Sequence, residues 1–327
     1  MMAILTRVVS ALKLYVVGVK LLLYQFIHTP FISPVLPEQH GKVAIVTGGT
    51  HGIGYEIVKR LLKLGMHVII ASHDKHHGLA AVERLRKDIR EAQVDFEFLD
   101  LASLSSVREF VRRFEERGLP LHTLINNAGV MLAPEETTGD GFELHFSVNY
   151  LGHALLTRLL LDTLMHSETE ECSRVVSVCS SAHYVSDRQL QDFHGTQDYS
   201  PHASYARSKL AQLLFTYRLH QELRSGRHAV TVNAVDPGVV DTQLYRHMSL
   251  PEKLAQRAVA WLLFRTPAQA AEVAVYVAAS RDLEGVSGCY VHEGKRVTSS
   301  SASYDAELQA ELWRNTCSTL RLSASIN

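Results

Sequence analysis

The period of apolar positions along the chain changes repeatedly, and each change marks an element. After Lys42, Val43-Ala-Ile-Val-Thr47 is a continuous apolar run of strand length. Glycines follow at 48, 49, 52 and 54, and Ile57, Val58, Leu61 and Leu62 then recur at helical spacing before Gly65. Val68-Ile-Ile-Ala71 makes a second strand, so the unit reads strand, helix, strand, with parallel strands and a right-handed crossover. The alternation continues, with helices predicted over 78–91, 103–117, 144–165, 205–224 and 268–279. Strands are predicted over 94–99, 121–125, 174–178, 229–234 and 288–291. Alternation of this length predicts one α/β domain on a doubly wound parallel sheet, with ligands bound beyond the carboxyl ends of the strands.

Residues 1–28 break that rhythm, being apolar almost throughout from Leu14 to Ile27. Lys13 and Lys20 interrupt the segment, so the clean run falls short of the ~20 residues that span a bilayer comfortably. No small-x-small cleavage site follows; Pro30, Pro34 and Pro37 come instead. The expected organisation is a membrane anchor or signal-anchor over 1–28, a proline-containing linker over 29–40, and the folded domain over 41–327. A buried amphipathic helix is the competing reading of the first segment. A second apolar stretch, 241–266, carries Leu244, Met248, Leu250, Leu254, Val259 and Trp261 to Phe264. It reads as a lid over a greasy substrate or as a packed helix.

Composition narrows the partners. With 46% hydrophobic residues, 20% charged residues and a net charge of −1, the chain has ample core and no charge bias toward nucleic acid. The 18 histidines are scattered; His73, His76 and His77 fall in a polar stretch, so no metal site is expected. The four cysteines show no paired spacing, and no Asn-x-Ser/Thr sequon occurs. Both features favour a reducing, cytosolic setting for the domain. The basic residues Arg7, Lys13 and Lys20 pull the other way, toward a lumenal domain.

Two patterns carry chemistry. Thr47-Gly48-Gly-Thr-His51-Gly52-Ile53-Gly54 joins the first strand to the first helix, where backbone can approach a pyrophosphate at a helix N-terminus. In Ser204-Tyr205-Ala-Arg-Ser-Lys209 the phenol and ammonium stand one helical turn apart. A phenol titrates near pH ~10 in water. A neighbouring cation lowers that value, which makes a tyrosine an acid/base near neutrality. A surface Tyr over a Lys has the same spacing. The second strand ends at Ser72 and His73, with Asp74 two places later than an acid that selects NAD would stand, so NAD against NADP stays open.

With Thr47-Gly48-x-x-x-Gly52-x-Gly54, Asn126-Asn127-Ala128-Gly129 and Tyr205-x-x-x-Lys209 in this order, the chain resembles the short-chain dehydrogenase/reductases from about Gly41 onward. Ser208-Lys-Leu-Ala211, Phe215-Thr216, Ser287-Gly-x-Tyr290, a late Trp313 and the long interval from Ser180 to Tyr205 are similar to its retinol-dehydrogenase-like branch. The resemblance implies a Rossmann domain and an NAD(P)(H) cofactor, either form or both. It implies Tyr205 as acid/base, Lys209 as its cationic partner, Ser180 on the substrate oxygen, and Asn149 holding a water. Cofactor contacts are implied for Thr47, Gly48, His51, Gly52, Ile53, Gly54, Ser72, His73, Asp100, Leu101, Asn127, Ala128 and Gly129. They extend to Pro237, Gly238, Val240 and Thr242 after the sixth strand.

The implied reaction interconverts a lipid alcohol and its carbonyl. The expected substrate is a long-chain isoprenoid such as a polyprenol or dolichal of dolichol formation, with retinoids or steroids as the alternative. Implied settings are the endoplasmic reticulum membrane or a lipid droplet, with a cytosolic domain and a homodimer among the arrangements allowed. A non-catalytic nucleotide sensor or a secreted factor is the reading from another class.

Overall fold

The computed structural model describes residues 2–167, 171–188, 190, 192–195, 199–242, 244–245 and 263–326. Eight strands form one sheet in the order β3-β2-β1-β4-β5-β6-β7-β8. They are β1 (Val43–Thr47), β2 (His67–Ser72), β3 (Val94–Phe98), β4 (Thr123–Asn126), β5 (Ser173–Val178), β6 (Val230–Asp236), β7 (Tyr290–His292) and β8 (Lys295–Arg296). All pairs are parallel except β7 with β8. The order reverses between β1 and β4, the switch point at which a doubly wound sheet opens a crevice.

Alternate strand residues feed two cores, as the period of two in a strand requires. Val43, Ile45, Ile69, Leu124 and Val175 face α4 (Leu104–Glu116), α6 (Gly152–Leu159), α8 (Pro201–Gly226) and the C-terminal helix α10 (Ala306–Leu320). Ala44, Val46, Val68, Ile70 and Val176 face α2 (Gly52–Lys63), α3 (Lys75–Asp88) and α9 (Pro267–Ala279). The continuous apolar strand runs in the sequence reflect this two-sided burial.

Several boundaries differ from expectation for identifiable reasons. Helix α3 begins at Lys75 because Asp74 caps it, accepting the His77 N–H at 2.9 Å. Helix α8 begins at Pro201 behind the Ser200 cap. The single helix expected over 144–165 is instead α5 (Leu144–Phe146), a π turn over Ser147–Leu151, α6, and α7 (Leu161–Met165) after a break at Leu160. Beyond 291 the sequence reading assigned no element, whereas the structure adds β8 and α10, the latter capped by Asp305.

The N-terminal helix α1 (Met2–Ile27) lies against the domain. From Arg7 to Ile27 it is long and apolar enough to cross a membrane by length and composition. The segment after it is extended and docked: Phe31 meets the Tyr276 ring at 5.2 Å, and its N–H bonds the Glu293 carboxylate at 2.6 Å. Of the expected lid, Met248, Leu250, Leu254, Val259, Trp261 and Leu262 lie outside the described residues. Val240 and Arg265 pair as a parallel bridge at its base.

Candidate active site

A cavity of about 950 Å³ opens at the carboxyl edge of the sheet. Every strand end from β1 to β6 contributes, and so does α1 through Leu14, Gly18 and Leu21. Of the residues singled out by sequence, Gly48, His51, Gly52, Ile53, Gly54, Ser72, His73, Asp100 and Leu101 line it. So do Asn127, Ala128, Gly129, Ser180, Tyr205, Lys209, Pro237, Gly238, Val240 and Thr242. Thr47 and Asn149 do not; both are fully buried behind its wall.

The glycine turn is built for close backbone approach. Gly48 has φ +67°, and a side chain there would meet the Ala128 backbone at 3.0 Å. A Cβ on Gly54 would lie 2.3 Å from the Gly48 carbonyl oxygen. The first turn of α2 therefore packs directly on the turn and presents its free N–H groups to the cavity, a cradle that fits the phosphates of a dinucleotide. Thr242 reaches to within 3.5 Å of where a Gly52 Cβ would stand, so the segment after β6 faces the glycine turn across the cleft.

Behind the wall a buried chain of hydrogen bonds ties β1 to the π turn. Thr47 Oγ1 accepts the Asn127 and Ala128 N–H groups, both at 2.9 Å. His153 Nδ1 donates to the Asn149 carbonyl at 3.1 Å, so the neutral ring accepts at Nε2 from the Thr47 hydroxyl at 2.9 Å, and that hydroxyl also lies 3.4 Å from the Ile125 carbonyl. Burial, aided by the Lys209 charge and opposed by the Asn149 bond, pushes His153 down to about 4. Sequence reasoning passed over His153, although it stands one helical turn beyond Asn149.

The Asn149 side chain is fully engaged. Its Oδ1 accepts the Val130 N–H at 2.8 Å, and Nδ2 donates to the Val130 carbonyl at 3.0 Å and to Ser208 Oγ at 2.9 Å. These bonds clamp the segment after β4 onto α8. The amide acts as a strut between these two segments.

Tyr205 and Ser180 both line the cavity wall, and the Ser180 side chain is near enough to favour the ionised phenol. Ser180 Oγ accepts the Ala182 N–H at 3.2 Å, and its carbonyl is held by His183 Nδ1 at 2.7 Å. His183 Nε2 accepts the Ser300 N–H at 3.2 Å, which fixes that tautomer. The adjacent Ser181 points elsewhere and hydrogen-bonds Asp236.

Lys209 Nζ stands 5.7 Å from the Tyr205 ring centroid. It donates to the Val178 carbonyl at 3.0 Å and to Gln212 Oε1 at 2.9 Å. The expected depression of the phenol by this ammonium is not what the structure shows. Burial pushes Tyr205 up from its ordinary value, more than the nearby Ser180 side chain offsets. Burial also pushes Lys209 down, against the pull of Cys179 and Asp236. The desolvated site favours a neutral phenol.

Asp236 is a second residue that sequence reasoning missed. Burial raises its carboxyl, but the nearby His292 ring and bonds from Ser181, Tyr290 and the Gly238 N–H more than offset this and leave it below the ordinary value. The Tyr290 hydroxyl donates to it at 2.6 Å and the Gly238 N–H at 3.0 Å. The carboxylate thereby fixes the turn after β6 that carries Pro237 to Thr242.

At the opposite end, Asp100 Oδ1 accepts the Ala102 N–H at 2.9 Å. Ser72 Oγ accepts the Asp74 N–H at 3.3 Å. The Asp74 carboxylate is occupied by His77, through its N–H and through Nδ1 at 2.6 Å, and is held below the ordinary value by those bonds.

The glycine cradle, the Ser–Tyr pair and the switch-point cleft are those of a short chain dehydrogenase. The model of that family matches residues 42–253, and the chain belongs to it. It is 51% identical to the polyprenol dehydrogenase of Danio rerio over 323 residues, covering 98% of this chain and 100% of that one. Against the polyprenol dehydrogenase of Homo sapiens it is 46% identical over 312 residues, 94% of each chain. Retinol dehydrogenase 14 of Homo sapiens is 37% identical over 84% of each.

Among solved structures, an uncharacterised protein from Mycobacterium paratuberculosis superposes with a TM-score of 0.72 at 31% identity, covering 91% of this chain and 100% of that one. A short chain dehydrogenase from Burkholderia cenocepacia in complex with NADP gives 0.61 at 25% identity, over 78% and 97%.

Proposed function

We propose that this protein is an NAD(P)(H)-dependent oxidoreductase that interconverts a long-chain isoprenoid alcohol and its aldehyde, a polyprenol or dolichal, at a membrane. The observation that carries the reading is the buried Tyr205 beside the half-buried Ser180, both lining a largely apolar cavity that the glycine cradle also lines. Identity to two polyprenol dehydrogenases over nearly the whole chain supports the substrate class.

The residues fit a nicotinamide dinucleotide. Gly48, Gly52, Gly54 and the α2 N-terminus would hold its phosphates, Asp100 and Leu101 its adenine end, and Pro237 to Thr242 its nicotinamide end. When bound, that group supplies the hydride acceptor or donor. Ser180 Oγ holds the substrate oxygen beside Tyr205. In reduction the phenol gives its proton to the forming alkoxide; in oxidation Tyr205 takes the carbinol proton. Lys209 bonds the Val178 carbonyl and Gln212, which fixes a positive charge beside the ring that receives negative charge in oxidation. Asn149 and His153 hold the wall in place. Leu14, Val130, Met131 and Phe264 exclude water from the reacting carbon.

At the ribose end, Asp74 is committed to the α3 cap and is withdrawn from the role that would select NAD. This arrangement favours acceptance of a 2′-phosphate, and Ser72→Asp should shift preference toward NAD. The decisive experiment measures turnover of polyprenol, dolichal, retinol and a steroid, each with NAD(H) and NADP(H), with Tyr205→Phe as control. Turnover of retinol without turnover of either isoprenoid would move the substrate to the retinoids, the reading favoured by the 37% identity to retinol dehydrogenase 14. Full activity in Tyr205→Phe would remove the mechanism. The setting that fits is the cytosolic face of the endoplasmic reticulum or a lipid droplet, which imaging of the tagged full chain tests.

A further inference from the structure

Helix α1 has two dissimilar faces. Leu14, Gly18, Leu21 and Gln25 follow one another at helical spacing and turn toward the domain. Leu14 packs in one cluster with Ala182, Ala206 and Tyr205 itself. The helix is pinned along its length. Arg7 Nε donates to the Tyr199 carbonyl at 2.7 Å, and the Tyr15 ring meets the edge of His202 at 5.6 Å. Near the other end the buried Gln25 amide accepts the Val239 N–H at 2.7 Å. It donates to the Val239 and Leu263 carbonyls at 3.1 and 3.2 Å.

The opposite face carries Val8, Leu12, Val16 and Phe26, all exposed, and Ile27, Ile32 and Val35 extend the patch, while Val19 and Leu23 are exposed at the cavity's edge. Leu12 and Phe26 are each 62% exposed and Val35 is fully so, a density of open apolar side chains that a water-facing surface does not carry. Lys13 and Lys20, seven residues apart, fall together on one flank between the two faces.

A helix bonded to the domain near both ends cannot cross a bilayer without drawing the polar segments at Tyr199 and Val239 into hydrocarbon. A helix lying in the interface meets no such cost: its outer face enters the acyl chains while lysines on the flank reach headgroup phosphates. We propose that α1 lies in the plane of a phospholipid bilayer and is at once the membrane-binding surface and a wall of the substrate cavity. A long-chain substrate then passes from the acyl layer under α1 to Tyr205 without entering water. The passage step rests on the lipid-alcohol reading above; the in-plane placement does not.

Full-length protein bound to phosphatidylcholine–phosphatidylserine vesicles tests this. Val8→Cys, Val16→Cys and Phe26→Cys, each carrying a fluorophore, are quenched by lipids bearing nitroxides at graded depths, with labelling of the wild type subtracted. The two outer sites are ~27 Å apart along a helix rising 1.5 Å per residue. In-plane placement gives one shallow depth for all three. A deep Val16 label with the other two near opposite surfaces would overturn the proposal in favour of a span. Unquenched labels with a doubled mass in solution would overturn it in favour of a second copy of the chain covering this face.

A second arm uses Leu12→Glu with Val16→Glu, whose side chains face away from the cavity. Vesicle binding and turnover of vesicle-borne polyprenol should fall at least tenfold, while turnover of a short, water-soluble prenyl alcohol is kept. Retained polyprenol turnover without vesicle binding would sink the passage. If the wild type turned over no isoprenoid of either length while all labels stayed shallow, the substrate reading would fail and the in-plane helix would stand.

Discussion

Thr47 on β1 and His153 on α6 meet at 2.9 Å in the dry interior, and through that contact the glycine turn and the π turn share one hydrogen-bond chain. The Thr47 hydroxyl makes three short bonds, to two backbone N–H groups and the imidazole, and also approaches the Ile125 carbonyl at 3.4 Å. Thr47→Val keeps the shape and removes all three bonds. Each buried group left unpaired costs about 1–3 kcal/mol, so the variant should lose roughly 2–5 kcal/mol in urea unfolding. Thr47→Ser should lose less than half of that. Equal losses in the two variants would show that the methyl group, not the hydroxyl, matters.

His153 makes the fold acid-sensitive, with a definite sign. Its imidazole is pushed down to about 4 by burial, while in an unfolded chain it titrates near its ordinary 6.5. Below pH about 6.5 the unfolded state takes up a proton that the folded state refuses until about pH 4, so stability falls as pH falls through that window. His122, His183 and His220 are also pushed down by burial and add with the same sign. Melting temperature should drop from pH 7.5 to 5. His153→Asn, destabilised at pH 7.5, should show a shallower slope by up to about 1.4 kcal/mol per pH unit. Parallel slopes would mean that His153 does not titrate between the two states.

Gly54 tests the cradle. Its missing Cβ would stand 2.3 Å from the Gly48 carbonyl oxygen and 2.5 Å from Asn127 Nδ2, and a backbone carbonyl cannot swing aside. Gly54→Ala must shift the glycine turn, at about 1–3 kcal/mol of overpacking cost. We expect nucleotide affinity to fall at least tenfold by fluorescence titration, with a modest loss in melting temperature. Unchanged affinity would place the phosphates away from this turn.

Much of this site was legible because the motifs sit where strands end: an apolar run followed by Gly48, Asn127, Ser180 or Pro237 reads directly as a strand delivering a loop to the cleft. What escaped was set by contacts between distant residues. The π turn is invisible in the apolar period of 144–165, because it arises where Asn149 bonds Val130 and its carbonyl is taken by His153. The commitment of Ser181 to Asp236 likewise depends on two strands meeting. Helix α1 reads as a mostly apolar segment interrupted by Lys13 and Lys20, and only its docking separates Gln25 and Gly18 from the exposed Leu12 and Phe26. By contrast α10 carried local signals, the Asp305 cap and Leu308, Leu312 and Leu320 at helical spacing, that sequence reading could have used.

Tyr205 sets the pH dependence of the reaction. Burial raises the phenol from its ordinary value, and the ammonium of Lys209 stands 5.7 Å from the ring without overcoming that effect. Oxidation of the alcohol requires the deprotonated phenol, so its rate should climb about tenfold per pH unit through neutrality and show no plateau below pH ~9, since the phenol starts near 10 in water. Reduction of the aldehyde requires the protonated phenol, which the desolvated site supplies throughout, so its rate should be flat from pH 6 to 9. Lys209→Met should leave the flat limb unchanged in shape while lowering both rates. Tyr205→Phe should lower both by about 10²–10⁴ and abolish the slope in oxidation. Initial rates in both directions, with saturating nucleotide, decide the matter. A plateau in oxidation near pH 7 would mean that the working site stabilises phenolate far more than the Lys209 geometry accounts for.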